Sequence, residues 1–225
     1  MTRGSLKKQI LFFSIPLMLS NLLQVLFNMS DIAVIGQFAG AMSLGAVGST
    51  TTLISMYTGF LIGLSGGINV LTALYIGARN RKSVSETVHS AFLVSLVVGL
   101  ILLILGVSTS RGVLVLLNTK EELIDKAALY IRIYFLGIPA LALYNFGNAV
   151  FSAAGDTGRP LRYLFLSGIV NVILNLFFVI VCKLDVVGVA LASALSQCLS
   201  AFLIVMALFR SHEDFGLHLA KLRLS

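Results

Sequence analysis

Six long, nearly uncharged stretches of apolar residues constrain this 225-residue chain more than any other feature. A helix needs about 20 mostly apolar residues to cross the hydrocarbon core of a bilayer. Membrane barrels instead show short alternating strands, and these runs are long and continuous. The sequence therefore predicts an all-α polytopic membrane protein, with a six-helix transmembrane bundle over residues 1–210. We place its helices at about 10–37, 43–77, 87–109, 128–154, 161–182 and 186–209.

The composition also indicates that the protein works in a lipid bilayer. Only 11% of the residues are charged and 58% are hydrophobic, whereas a soluble domain is roughly a quarter charged and just under half apolar. This composition excludes an ordinary cytosolic or secreted enzyme, a disordered tail and a fibrous repeat. The net charge of +7 does not indicate nucleic acid, because the chain has neither a basic face nor a stacking platform.

Basic residues are distributed unevenly between the two ends of the predicted bundle. By the positive-inside rule, the richer end faces the cytoplasm. We therefore predict a multi-pass protein of the cell (inner or plasma) membrane with both termini in the cytoplasm. The cytoplasmic set is Arg3, Lys7, Lys8, Arg79, Arg81, Lys82, Arg159, Arg162, Arg210, Lys221 and Arg223, and the opposite set is Arg111, Lys120, Lys126, Arg132 and Lys183.

A polar stripe on the first predicted helix contains an aspartate in an otherwise uncharged run. Asn21, Gln24, Asn28 and Asp31 fall within an arc of roughly 80° at 100° per residue. An aspartate at the centre of a membrane helix costs about 2.5–3.5 kcal/mol on insertion scales. Such a residue normally faces a cavity or a partner, so Asp31 is the leading functional candidate. The alternative is a carboxylate hydrogen-bonded to a neighbouring helix for packing alone.

Three later helices carry further polar stripes. Paired asparagines are more polar than packing requires and can face a carboxylate or a cation. Serine stripes, by contrast, usually indicate close helix packing. The candidates are Asn145 and Asn148 on the fourth span, Ser167, Asn171 and Asn175 on the fifth, and Ser193, Ser196, Gln197 and Ser200 on the sixth.

A proline lies inside the first predicted helix. Pro16 has no amide hydrogen to donate, so it removes one backbone hydrogen bond and permits a bend. A static kink is the alternative, because prolines are tolerated in membrane helices.

The sequence contains no catalytic or metal-binding set. The histidines, His89, His212 and His218, share no evident face with a nucleophile or an acid, and Cys182 and Cys198 lack metal-ligand spacing. We therefore expect no enzyme activity, no bound metal and no cofactor. The run 212–214 is interpreted as a solvated tail.

Seven short motifs follow one another through the six predicted spans. They are IPLMLSNL at 15–22, DIAVIG at 31–36, GLSGG at 63–67, YIGAR at 75–79, GDTGRP at 155–160, NVILN at 171–175 and GVALAS at 188–193. Each motif alone is weak, but their order and spacing are fairly specific. In this order the chain resembles, over nearly its whole length, the multidrug and toxic compound extrusion (MATE) transporters.

The resemblance implies an efflux antiporter that exchanges inward sodium ions or protons for an outgoing organic, often cationic, compound. Family members have twelve helices in two lobes around a central cavity, and this chain looks like the amino-terminal lobe. A second six-helix lobe, or a homologous half, is therefore an expected partner. Residues 211–225 would be a cytoplasmic tail or the start of a connector to that lobe.

The resemblance also implies roles for individual residues. Asp31 would carry the coupling ion or proton, with Asn171, Asn175 and Ser193 beside it, and Pro16 would allow the first helix to bend. With Asn175 in place of an acid, at most one proton or ion is expected in this lobe. The further candidates for lining the cavity are Gln24, Asn28, Asn145, Asn148 and Gln197.

Two other functions remain open at this point. A related flippase of lipid-linked precursors would share the helices, although cationic side chains for phosphate are expected in its cavity and these spans carry none centrally. A half-length protein could instead be a membrane scaffold that transports nothing. The mass of the assembled protein, or a neighbouring reading frame for a second lobe, would separate these functions.

Overall fold

The chain folds as a bundle of long helices in the part that the structure describes. This computed structural model describes the backbone of residues 6–211, 213 and 215–218, and their side chains except those of residues 6–13 and 21. No strand occurs within these ranges. The helices are α1 (Leu6–Phe38), α2 (Ala41–Gly77), α3 (Arg81–Leu116), α4 (Glu121–Phe135), α5 (Ile138–Ala153), α6 (Gly158–Leu176) and α7 (Asp185–Phe209), with a π-helical turn at Phe177–Val181 after α6.

Within the described residues, five helices are long and apolar enough to cross a membrane alone, and a bent pair of helices passes the same test together as a sixth candidate span. The sixth is the pair α4 and α5, which meet at an angle of 47°. The prediction of one continuous helix over 128–154 is therefore wrong. Pro139 explains the break, because its ring would clash with the carbonyl of Phe135, where α4 ends. Proline is instead well placed in the first turn of α5.

The other helices differ from their predicted ranges mainly at their ends. Helix α3 has 36 residues and a length of about 54 Å at 1.5 Å per residue, so it extends well beyond a hydrocarbon core. Its start is fixed by Asn80, whose side-chain oxygen accepts a hydrogen bond from the Ser83 amide over 3.1 Å. Hydropathy alone could not locate these polar ends.

Helix α3 packs against the bent pair through two glycines. A Cβ atom at Gly106 would lie 2.6 Å from the ring of Phe135, and one at Gly99 would lie 2.7 Å from the Cα of Pro139. Side chains larger than hydrogen are therefore excluded at both positions. These contacts fix the two sides of the α4–α5 break, which in turn positions the side chains of α4 and α5 inside the bundle.

The segment after α7 packs back onto the bundle. Phe215 and Leu217 are buried, and the amide of Leu217 donates to the carbonyl of Leu208 over 3.0 Å. The amide of His218 donates to Nε2 of the buried His89 over 2.9 Å. Residues 212 and 214, part of the run that we interpret as a solvated tail, lie outside the described residues, whereas 215–218 form a strap without regular secondary structure that packs on the end of the bundle.

Candidate functional site

Asp31 is a buried carboxylate on α1 whose hydrogen-bond donors come from α6 and α7. The residue is 6% exposed. The side-chain amide of Asn175 donates to Asp31 Oδ1, and the hydroxyl of Ser193 donates to Asp31 Oδ2 over 3.0 Å. A buried carboxylate is costly unless donors of this kind replace water. The carboxylate therefore connects α1 to two other helices.

The donors to Asp31 belong to one connected network. Asn175 Nδ2 also donates to Asn171 Oδ1 over 3.2 Å, and Asn171 Nδ2 donates to Ser193 Oγ over 3.5 Å. Because Asn171 and Asn175 are four residues apart, α6 presents both amides on one face. The structure thus brings together the four residues that the sequence analysis assigned to a coupling site.

Two buried oxygens at this site are acceptors without a hydrogen-bond partner in the described part of the chain. They are Asn175 Oδ1 and Gln197 Oε1. A buried polar atom without a partner costs about 1–3 kcal/mol. The Asp31 carboxylate and the amide oxygen of Asn175 are the kind of ligand that hard cations prefer, whereas Gln197 Oε1 lies against Gly137 at the α4–α5 break. The carboxylate can therefore take a proton, and its charge and the Asn175 oxygen suit a small cation.

A cavity of about 310 Å³ lies beside Asp31. It is an open cavity lined by residues of α1, α2, α4, α5, α6 and α7, and its volume is at the lower end of the range typical of small-molecule sites. Four predicted lining residues border it, namely Gln24, Asn28, Asn145 and Gln197. Asn148, the fifth, borders a neighbouring cavity of about 290 Å³ instead, which also touches Gln24 and Asn145. Three residues after Asn145, Asn148 lies about 4.5 Å farther along the helix axis.

The cavity also has aromatic walls that the sequence analysis did not identify. Phe27, Tyr134 and Tyr144 line it, and the Tyr144 hydroxyl donates to the carbonyl of Pro160 over 3.1 Å. A continuous fourth span over 128–154, as the sequence predicts, gives Tyr134 no special place, and the break after Phe135 is what sets this ring at the cavity. The tyrosine pair Tyr130 and Tyr134, one turn apart, was the available signal.

Two glycines allow the cavity walls to approach each other closely. The ring of Phe27 on α1 lies against Gly168 on α6, where a Cβ atom would be 1.7 Å from the ring. Gly137, at the α4–α5 break, lies against α7, where a Cβ atom would be 2.9 Å from the Cα of Ala194. Glycine at these positions therefore sets the shape of the cavity.

Pro16 lies inside α1, on the same helix as Asp31. The hydroxyl of Ser20 donates to the Pro16 carbonyl over 2.9 Å, which is a bond within the helix. The side chain of Asn21, part of the predicted polar stripe, lies outside the described side chains. Helix α1 therefore combines the buried carboxylate with a point at which one backbone hydrogen bond is missing.

Known proteins are similar to this chain in both sequence and fold. The family model MatE matches residues 16–177. A probable multidrug resistance protein of Bacillus subtilis, YpnP, is 35% identical over 198 residues, which are 87% of this chain and 44% of the relative. A crystal structure of MATE in the bent conformation superposes with a TM-score of 0.90 at 26% identity and covers 96% of this chain and 48% of that one. A crystal structure of MATE in the straight conformation gives 0.87 at 26% identity, with 97% and 49% covered.

The extent of these matches establishes what kind of protein the chain is. Its span-forming helices and its relatives support a multi-pass membrane protein. The chain spans about half the length of the relatives it matches, so it corresponds to one lobe of them. The family model matches well over half of the chain, and the chain therefore belongs to the MatE family.

Proposed function

We propose that the chain forms one lobe of a cation-coupled multidrug efflux antiporter, with Asp31 as the site where the coupling ion binds. One observation carries the proposal: the Asp31 carboxylate borders the cavity and is hydrogen-bonded by Asn175 and Ser193. A single buried charge that touches both a cavity and two other helices can respond to a cation and to a cavity ligand. The relatives named as multidrug resistance proteins support the substrate class.

Binding of a proton would rearrange the network around Asp31. In the structure, Asn175 and Ser193 both donate to the carboxylate, which suits its ionised form. A protonated carboxyl carries a hydrogen that must itself be donated, so at least one of the two donors has to turn or α1 has to move. Sodium would instead recruit the carboxylate and neighbouring oxygens such as Asn175 Oδ1. Either ion weakens the present link between α1 and the other two helices.

Movement of α1 is the proposed connection between ion binding and export. Pro16 removes a backbone hydrogen bond on the half of α1 away from Asp31, which makes bending there less costly. Similar proteins have been solved in both bent and straight conformations. A ligand can shift such an equilibrium only through different affinities for the two states, and the Asp31 network supplies that difference.

The cavity beside Asp31 suits an amphipathic organic cation. Apolar contacts come from Ile54, Ile62 and Leu141, and the rings of Phe27 and Tyr134 offer aromatic faces to which a cation is attracted. The carboxylate supplies the complementary charge. A drug cation and a coupling cation would therefore compete for Asp31. This competition would couple the export of one cation to the import of the other.

A complete transporter requires a second six-helix lobe, because the chain spans about half of its relatives. We propose this lobe as the partner and the inner or plasma membrane as the location. We also propose that both termini lie in the cytoplasm, and the support is the position of Arg79, Lys82, Arg159, Arg162 and Arg210 at the ends of the spans that would face it. The bilayer itself is the other partner.

The test is transport by the chain co-expressed with the carboxyl-terminal half of YpnP. Everted membrane vesicles are given a proton or sodium gradient, and accumulation of ethidium is followed by fluorescence. We expect Asp31→Asn to reduce gradient-driven accumulation at least about tenfold, because a neutral side chain offers no site for charge exchange. The matched control is Asp125→Asn, which removes an exposed carboxylate on α4 and should leave transport unchanged. Unchanged transport by the Asp31 variant, or none by the wild-type pair, would contradict the proposal.

A further inference from the structure

A groove at one end of the bundle combines a strongly basic rim with an apolar wall. It lies where α6 begins and α7 ends, and encloses about 510 Å³. Three arginines line it, Arg159, Arg162 and Arg210, and none of its nine lining residues is acidic. This charge is separate from the Asp31 cavity, which has no residue in common with the groove.

Two of the three arginines, Arg162 and Arg210, are exposed. Arg159 is already engaged, since its Nε lies 2.7 Å from Asp156 Oδ2 and its Cζ lies 5.5 Å from the centre of the Phe151 ring. Arg162 and Arg210 are exposed, and Arg162 makes a long 3.4 Å bond to the Gly158 carbonyl. Both retain donors of the fork geometry that matches phosphate oxygens.

The apolar wall of the groove begins directly beside these arginines. One stripe along the end of α7 is formed by residues at four-residue steps, namely Phe202, Met206 and the capping residue Arg210. Phe202 is 60% exposed, and Tyr163 stands next to Arg162 as an amphipathic ring of the type found at membrane interfaces. Gly158 and Phe209 are the ends of two candidate membrane spans, so we expect the groove to lie at the boundary between the hydrocarbon and headgroup layers.

We propose that this groove binds an anionic phospholipid, with the lipid phosphate on Arg162 and Arg210 and an acyl chain along Phe202 and Met206. Charge complementarity selects a headgroup with net negative charge, because basic pockets between helices at the membrane boundary attract such lipids. The apolar stripe selects a lipid over a free phosphate, which would leave Phe202 and Met206 without a role. The proposal does not depend on transport by the chain.

The test measures lipid binding to the purified full chain in detergent by native mass spectrometry. Dioleoyl phosphatidylglycerol is compared with dioleoyl phosphatidylcholine, which has the same acyl chains and no net charge. We expect tighter binding of phosphatidylglycerol, and a loss of about tenfold or more in its affinity in the double variant Arg162→Gln/Arg210→Gln. The double variant Arg162→Lys/Arg210→Lys keeps the charges and should recover part of this affinity.

A matched control and a competitor complete the experiment. Arg79→Gln/Lys82→Gln removes the same charge at the same end of the bundle but away from the groove, and should bind phosphatidylglycerol like the wild type. Equal binding of the two lipids, or equal losses in the two Gln double variants, would overturn the proposal. Full displacement by millimolar glycerol phosphate would also overturn it, because the site would then recognise a free phosphate.

Discussion

At the scale of single residues, the most informative side chain after Asp31 is Ser193. Its hydroxyl donates to Asp31 Oδ2 while it accepts from Asn171. Ser193 on α7 therefore connects the Asp31 carboxylate on α1 to the Asn171 amide on α6. A hydrogen bond to a charged group typically contributes about 1.5–3 kcal/mol, which makes this contact measurable.

A double-mutant cycle isolates the bond between Asp31 and Ser193. We expect Asp31→Ala and Ser193→Ala to show a coupling energy of about 1.5–3 kcal/mol in unfolding of the purified chain, measured by denaturant titration in detergent. The matched cycle pairs Asp31→Ala with Thr50→Val, which removes a buried hydroxyl bonded to Val47 of its own helix. That second pair should be additive within about 0.5 kcal/mol. Additive effects in the first cycle as well would show that the contact contributes nothing.

The glycine at 168 gives a second prediction at this scale. Gly168→Ala places a Cβ atom against the ring of Phe27, so we expect the ring to be displaced and the cavity to change shape. The cost should be about 1–3 kcal/mol, as for other overpacked cores, and ethidium affinity should fall. Gly63→Ala is the control, since nothing lies within 4 Å of a Cβ atom there. Equal melting temperatures for the two variants would contradict this account of the contact.

At the scale of helices and segments, two backbone amides of the strap at 215–218 donate to the bundle, that of Leu217 to the Leu208 carbonyl and that of His218 to a side chain. The backbone amide of His218 donates to Nε2 of His89. Replacing His89 with Leu removes the acceptor, whereas replacing His218 with Leu keeps the amide. The two histidines therefore have different expected effects although they face each other.

Amide hydrogen exchange measures this difference. We expect His89→Leu to speed exchange at residue 218 by about tenfold or more, because opening of a segment costs less once a bond is lost. In His218→Leu the exchange rate at that position should stay close to the wild-type value. Equal protection in both variants would mean that burial of Phe215 and Leu217, rather than the hydrogen bond, holds the strap.

The helices show which features a sequence can predict in a membrane protein. Asn171 and Asn175 could be placed on one face because helical periodicity is fixed, and long apolar runs located the spans. The bend between α4 and α5 was missed, since Gly137 and Pro139 stand in an apolar run and prolines are tolerated in membrane helices. The docked strap was missed because it depends on tertiary contacts that have no periodic signal, and the one-turn spacing of Tyr130 and Tyr134 does not by itself distinguish a cavity wall from a packed core.

At the scale of the whole molecule, the chain corresponds to one lobe of the relatives that it matches, about half of their length. Asp31, Asn171, Asn175 and Ser193, the residues of the proposed ion site, all belong to this lobe. We therefore expect the proposed ion and drug binding to be measurable on this chain, whereas export would need both lobes. This separation allows the proposed competition for Asp31 to be tested on the purified chain.

The most direct test is ethidium binding to the purified chain at several proton and sodium concentrations, followed by fluorescence. The account predicts that the apparent affinity of the wild type falls as the coupling cation is raised, because both ligands require the Asp31 carboxylate. In Asp31→Asn, binding should be weaker and independent of both cations, while Asp125→Asn should behave like the wild type. Wild-type binding that is independent of protons and sodium, or an Asp31→Asn variant that keeps the full dependence, would contradict the account.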